Sequence, residues 1–172
     1  MSLLSFLNQK KRYLLKRENI YFILLIITIF SLDRLSKIEI INNFSDTNYY
    51  INNFINLNLI WNTGIGFGLM SSDSSLFYNI VTILVGSVIL ILFYVTILSE
   101  SLDRFIYSII IGGAFGNFYD RLTYSAVPDF IDLHFNNFHW FTFNVADIFI
   151  TLGIMAFIIK GFFVNKLKDE KI

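Results

Sequence analysis

The chain has 172 residues, of which 55% are hydrophobic and 18% aromatic, while only 15% are charged and the formal net charge is zero. This composition predicts a membrane protein, because soluble domains of this size carry more charge. Disulfides, thiolate nucleophiles and cysteine-based metal sites are excluded within the chain, because it contains no cysteine. No basic stretch alternates with polar base-reading residues, so we expect no nucleic-acid partner.

Four apolar runs are long enough to cross roughly 30 Å of hydrocarbon as helices. They cover about residues 20–37, 76–98, 105–122 and 143–164. The sequence therefore predicts an all-α membrane protein with four transmembrane helices, built as a single integral membrane domain over residues 1–172. The first run follows basic residues as a signal peptide does, but no suitable cleavage site follows it, so we expect it to be retained.

Lys and Arg are distributed unevenly between the predicted loops. Residues 38–103 and 122–159 contain neither, whereas basic residues precede the first run, lie at Arg104 between the second and third runs, and end the chain. The positive-inside rule then predicts cytoplasmic termini. It also predicts that segments 41–75 and 123–142 are extracytoplasmic.

The first of these outer segments has a pattern of its own. Over residues 55–61 apolar and polar side chains alternate, mostly with a period of two, which predicts a short strand with one apolar face. The glycine-rich residues 63–68 follow and predict a flexible turn. We therefore expect a small β-sheet and a loop on the outer membrane surface.

Charged residues interrupt the outer ends of the first and third runs. Asp33 and Lys37 are four residues apart and share one helix face, which favours an interfacial ion pair that neutralises two costly charges. Near the end of the third run, residues 112–116 begin and end with glycine, a spacing that favours close helix packing over a phosphate loop. Asn117 and the adjacent pair 120–121 (Asp-Arg) follow, and together they exceed what anchoring requires.

Two further acids lie among apolar residues on the same predicted side. Asp129 follows Pro128, whose fixed φ predicts a rigid, extended approach to the carboxylate. Asp147 lies about one turn into the fourth run, with Asn144 on the same predicted face. An acid near a helix start complements the helix dipole, but this does not explain the second acid nearby. Two carboxylates that can share a proton are the minimum equipment for acid/base hydrolysis.

The segment between these acids contains two histidines and many aromatic residues. His134 and His139 lack metal-ligand spacing, and no HExxH motif occurs, so we predict interfacial histidines and no metal. The aromatic residues predict a belt at the outer membrane surface. They are Phe135, Phe138, Trp140, Phe141 and Phe143.

Five segments make the chain resemble the lipoprotein signal peptidases, the type II signal peptidases of bacteria. In chain order they are residues 33–37 (DRLSK), 62–64 (NTG), 112–121 (GGAFGNFYDR), 129–131 (DFI) and 143–147 (FNVAD). Two positions depart from the family pattern. Ile65 and Gly66 stand where two alanines are usual, and Arg34 stands where Gln is frequent, which we expect to add a charge near the surface.

The resemblance implies an aspartic endopeptidase with Asp129 and Asp147 as its catalytic dyad. It also implies that eight residues shape or support the site: Asp33, Lys37, Asn62, Gly64, Asn117, Asp120, Arg121 and Asn144. The implied substrates are diacylglyceryl-modified prolipoproteins, cut just before the lipidated cysteine, without a cofactor or metal. Membrane lipids and lipopeptide inhibitors of the globomycin type are implied as further partners. The implied location is the bacterial cytoplasmic (inner) membrane, with the site at its extracytoplasmic face.

Two alternatives remain open at this point. The chain could be a non-enzymatic, proton-coupled transporter or scaffold whose carboxylates form a proton relay. A relay should extend toward the other membrane face, whereas the second and fourth runs carry no deeper acid. The chain could also be an intramembrane protease with aspartates in two separate spans, which would cleave substrate independently of a lipid.

Overall fold

The computed structural model describes residues 19–45, 48–64, 75–136 and 138–169. This part of the chain is mostly helical and carries one small sheet. The helices are α1 (Asn19–Asn43), α2 (Ser75–Leu98), α3 (Ser101–Tyr124) and α4 (Val145–Asp169). The strands are β1 (Tyr49–Tyr50), β2 (Ile55–Asn62), β3 (Val127–Phe135) and β4 (Phe138–Phe143).

Three helical stretches are long and apolar enough to cross a membrane: Asn19–Asn43, Tyr78–Leu98 and Val145–Phe163. Large apolar side chains on their outer faces are exposed, for example Leu90 and Phe162, because the solvent expected there is lipid. Within the described residues α3 is not among these candidates, since charged residues near both of its ends lower its hydropathy. The prediction of a membrane protein with a small sheet is confirmed, and the fourth span stays a prediction.

Helix α3 packs against α1, α2 and α4, and small residues allow two of these approaches. A Cβ atom on Gly112 would lie 2.8 Å from the Ile29 Cβ atom of α1. A Cβ atom on Gly113 would lie 2.5 Å from the Ala146 carbonyl oxygen of α4. The close helix packing that the glycine spacing predicted is therefore present, and glycine is required for it.

The four strands form one antiparallel sheet in the order β1-β2-β3-β4. The strand predicted over 55–61 is confirmed as β2, which pairs Asn62 with Val127 and Asn56 with Asp132. The β3–β4 hairpin was not predicted, because its aromatic residues were interpreted only as a membrane belt. Of the predicted turn at 63–68, the residues after Gly64 lie outside the described residues.

Several helix boundaries differ from the sequence prediction, among them the end of α1 and the start of α4. Helix α1 continues to Asn43, beyond the predicted end at residue 37 and into the predicted outer segment. Helix α4 begins at Val145 rather than residue 143, because Phe143 pairs with Ile131 as the last residue of β4. Asn144 therefore lies at the start of the helix and not on its side.

Candidate active site

All ten site residues implied by the resemblance meet at one end of the helix bundle. Helices α1 and α3, the start of α4, and strands β2 and β3 each contribute to it. Hydrogen bonds connect the ten side chains or backbones into one continuous network. The members are Asp33, Lys37, Asn62, Gly64, Asn117, Asp120, Arg121, Asp129, Asn144 and Asp147.

Lys37 is the buried cation at the centre of this network. It is fully buried, and its ammonium nitrogen donates to Asp33 (2.8 Å), Asn117 Oδ1 (2.9 Å) and Asp120 (2.6 Å). The predicted ion pair with Asp33 is confirmed, but it is buried inside the bundle and not exposed. A buried charge is tolerated only when such partners replace its water, so Lys37 ties α1 to α3.

Asp120 forms ion pairs with Lys37 and Arg34, and not with its neighbour Arg121. Arg34 also donates to the Tyr124 hydroxyl at 3.3 Å, and its guanidinium lies 4.8 Å from the Tyr119 ring centre. The Arg34 side chain is buried in the protein, so its charge is not exposed to solvent. Arg34 instead gives Asp120 a second cation and rests on an aromatic face.

Asp129 lies near the start of β3 and is only 3% exposed. Asn62 Nδ2 donates to one carboxylate oxygen at 2.8 Å, and Asn144 Nδ2 donates to the other at 2.6 Å. Burial, and then the negative charge of Asp147, raise the pKa of Asp129 to about 6, although the two amide donors act in the opposite direction. Asp129 can therefore hold a proton in mildly acidic conditions.

Asn144 and Asp147 cap the start of α4 reciprocally. The Asp147 backbone N–H donates to Asn144 Oδ1 at 3.1 Å, and the Asn144 N–H donates to the Asp147 carboxylate at 3.2 Å, the arrangement of a capping box. Asn117 Nδ2 donates to the other Asp147 oxygen at 2.7 Å. Since Asn144 also binds Asp129, this one residue contacts both acids.

Asp33 joins α1 to the same helix start. One of its carboxylate oxygens accepts from the Ala146 backbone N–H at 2.9 Å while the other binds Lys37. A Cβ atom on Gly116 would contact the Asp33 carboxylate, with its Cγ atom at 3.0 Å. The absence of a side chain at Gly116 therefore leaves room for this contact, which sets the position of Asp147 one residue further along α4.

Arg121 connects α3 to the segment that follows β2. Its guanidinium donates to the carbonyl oxygens of Gly64 (3.1 Å) and Asn117 (3.2 Å), and Asn62 Oδ1 accepts from the Gly64 N–H at 2.9 Å. Its Nε atom is buried and has no hydrogen-bond partner within the described residues. Arg121 thus fixes the backbone at Gly64, next to Asn62. It thereby helps to position the Asn62 side chain, which donates to Asp129.

A cavity of about 310 Å³ opens beside Asp147. Apart from Asp147 it is lined by Phe141, Phe143, Ile148, Thr151 and Leu152. The lining is mostly apolar, which is typical of ligand sites that place a few polar groups against hydrophobic walls. The cavity can take an apolar chain directly against the carboxylate.

Asp132 was missed by the sequence prediction, and its signal was its two-residue spacing from His134 on β3. It is buried and binds His139 Nδ1 at 2.7 Å. His139 is exposed, whereas His134 is buried and stacks on His139. The interfacial position of both histidines stays a prediction. Among the described residues, no group of three His, Cys, Asp or Glu side chains could hold a metal ion.

Comparison with known proteins gives concordant matches. The family model described as Signal peptidase (SPase) II matches residues 25–163. The lipoprotein signal peptidase of Pelagibacter ubique (strain HTCC1062) is 48% identical over 159 residues, which cover 90% of this chain and 96% of that protein. The protein of the same name from Thermodesulfovibrio yellowstonii is 43% identical over 108 residues, which cover 63% of this chain and 71% of that protein. A solved bacterial membrane enzyme, determined by the in meso method, superposes with a TM-score of 0.69 at 26% identity and covers 87% of this chain and 89% of its own.

Proposed function

The chain belongs to the signal peptidase II family, and from this membership we propose that it is an aspartic endopeptidase whose catalytic pair is Asp129 and Asp147. The family resemblance is confirmed, and with it the activity: the protein is a membrane peptidase that removes signal peptides from prolipoproteins. Membership of this family decides against the alternatives of a transporter, a scaffold and another class of intramembrane protease. The proposal adds the catalytic residues, the lipid on the substrate and the orientation in the membrane.

Asn144 supports the pairing of the two acids most directly. Its side-chain amide donates to Asp129 at 2.6 Å, and its backbone N–H donates to Asp147 at 3.2 Å. The two carboxylates are thus held around one small residue. Acids held so close ionise one after the other, because the first negative charge opposes the second.

The charge balance of the site supports a shared proton. Four carboxylates belong to the site, on Asp33, Asp120, Asp129 and Asp147, and its three cations are on Arg34, Lys37 and Arg121. One proton on the catalytic pair makes the sum zero, which is the least costly state for a buried cluster. We assign this proton to Asp129, because burial, and then the charge of Asp147, raise its pKa to about 6.

The proposed reaction uses the two acids in turn. The Asp147 carboxylate takes a proton from water as the water oxygen attacks the scissile carbonyl carbon, while Asp129 gives its proton to the carbonyl oxygen. The tetrahedral intermediate then collapses and its C–N bond breaks. The leaving nitrogen takes the proton from Asp147, and Asp129 recovers a proton from an intermediate hydroxyl. The pair returns to its starting state with one proton.

In the proposed reaction the substrate carries a diacylglyceryl group, and the peptide is cut just before the lipidated cysteine. The mostly apolar cavity beside Asp147 suits the hydrophobic part of such a substrate. Membrane lipids and lipopeptides of the globomycin type would contact the same surface. Whether Ile65 and Gly66 alter these contacts concerns a segment outside the described residues.

We further propose four spans, with α3 as the fourth, cytoplasmic termini and an extracytoplasmic catalytic pair in a bacterial inner membrane. The lack of Lys and Arg over 38–103 and 122–159 supports this orientation. Helix α3 packs against the three apolar helices, and its four charged residues have protein partners, so these charges need no exposure to lipid.

Proteoliposomes containing the full chain provide the test. Wild-type protein should cut a diacylglyceryl-modified prolipoprotein just before the modified cysteine, as read by mass spectrometry of the product, and leave the unmodified prolipoprotein intact. The double variant D129N/D147N should cut neither substrate. Equal cleavage of the unmodified substrate would refute the lipid requirement, and activity in the double variant would refute the catalytic pair.

A further inference from the structure

A second cavity lies at the end of the bundle opposite Asp129 and Asp147. Its volume is about 150 Å³, and it lies between α1, α2 and α3. That is roughly ten times the space that one water molecule needs. Phe22, Ile26 and Phe93 contribute to its apolar wall, and Arg104 and Ser108 also line it.

Arg104 brings a buried positive charge to this cavity. It is 4% exposed, and it donates from Nε to the Ser99 carbonyl oxygen at 2.7 Å and from Nη1 to Asn19 Oδ1 at 3.2 Å. Both acceptors are neutral. Within the described residues no carboxylate forms an ion pair with Arg104, and the adjacent Asp103 pairs with Lys160. A buried charge without a counter-charge is unfavourable, so a negative group is expected in the cavity.

Ser108 supplies a second, unused donor. It lies four residues after Arg104, on the same face of α3, and is fully buried. Its hydroxyl has no hydrogen-bond partner within the described residues, although a helical serine commonly bonds to the carbonyl one turn earlier. Thr96, on the opposite wall, makes that bond to Leu92 at 2.6 Å. The Ser108 hydroxyl is therefore a buried donor at the cavity wall that no described residue uses.

We propose that this cavity binds the phosphate group of a membrane phospholipid, with Arg104 as its counter-charge and Ser108 as a second donor. A guanidinium matches the geometry of phosphate oxygens, and the apolar wall suits the start of an acyl chain. Arg104 and Arg121 are seventeen residues apart on α3, or about 25 Å along the helix. Since the hydrocarbon core is about 30 Å thick, Arg104 lies at headgroup depth in the leaflet opposite the catalytic pair.

Lipid-dependent thermal stability tests this site without reference to cleavage. The delipidated full chain in a non-ionic detergent is titrated with phosphatidylglycerol, with diacylglycerol as the matched lipid lacking phosphate, and with inorganic phosphate. Phosphatidylglycerol should raise the Tm of wild type by on the order of 5 °C. K160Q is the control, since it removes a cation at the same end but outside the cavity, and it should respond as wild type does.

Two variants decide whether the cavity is responsible. R104Q should lose the response to phosphatidylglycerol, and S108A should weaken the apparent affinity by about two- to tenfold. An equal response in R104Q, or the same shift with diacylglycerol, would overturn the proposal. The same shift with inorganic phosphate alone would assign the site to free phosphate and overturn the lipid. If R104Q fails to fold, an unchanged affinity of S108A refutes the site.

Discussion

Replacing Asn62 with alanine should move the pH dependence of cleavage upward. The Asn62 side chain donates to the buried Asp129 carboxylate at 2.8 Å and so favours its ionised form. Loss of a hydrogen bond to a charged group costs about 1.5–3 kcal/mol, which corresponds to a rise of about 1–2 units in the pKa of Asp129. In the proposed mechanism Asp129 acts as the acid and must be protonated, so the activity of N62A should persist to higher pH.

The measurement is kcat/KM for a diacylglyceryl-modified peptide from about pH 4.5 to 9, because kcat/KM reports the groups of the free enzyme. In wild type the alkaline limb should lie near pH 6, set by Asp129. N56A is the matched control, since Asn56 lies on the same strand but opposite Asp132, and its profile should not move. An unshifted limb in N62A, or a shift to lower pH, would refute the assignment of the proton to Asp129.

Further predictions concern stability and packing. Folding raises the pKa of Asp129 from 3.8 to about 6, so the free energy of unfolding of wild type should fall as pH rises between these values. D129N should lack this fall. In denaturant unfolding at pH 8 it should be more stable than wild type by about 2–3 kcal/mol. K37M should lose about 3–5 kcal/mol because it leaves buried carboxylates unpaired, whereas R34Q should lose less, since Lys37 still pairs with Asp120. Equal losses would contradict this order. G116A should lower the Tm and abolish cleavage, because its Cβ atom would contact the Asp33 carboxylate, while G161A, with open space around it, should leave both unchanged.

Much of the fold could be predicted because hydropathy and alternation are local signals. The apolar runs predicted the three membrane-length helices and the approximate position of each helix in the described residues, with errors of a few residues at their ends. The alternation over 55–61 gave β2. The β3–β4 hairpin was missed because its exposed aromatic residues fit both a strand and a membrane belt, and period alone does not separate the two.

The residues that gather at the candidate site could be named from the sequence, but most of their partners could not. Asp33 and Lys37 are one helix turn apart, so their contact follows from sequence spacing. The pairing of Asp120 with Arg34 joins residues far apart in the chain and depends on how α1 packs against α3. The capping role of Asn144 was not predicted, because the predicted helix start at residue 143 was two residues too early. Asn144 is a cap only when the helix starts at Val145.

Single substitutions of the two acids test the proposed catalytic pair most directly. The rate of cleavage of a diacylglyceryl-modified prolipoprotein is measured for D129N, D147N and the control D132N, an acid on β3 that binds His139 and neither member of the pair. D129N and D147N should each lose on the order of a thousandfold or more in rate while remaining folded, because one acid cannot serve as both acid and base, and D132N should stay within about tenfold of wild type. A folded D129N or D147N that cleaves at a rate near that of wild type would contradict the account.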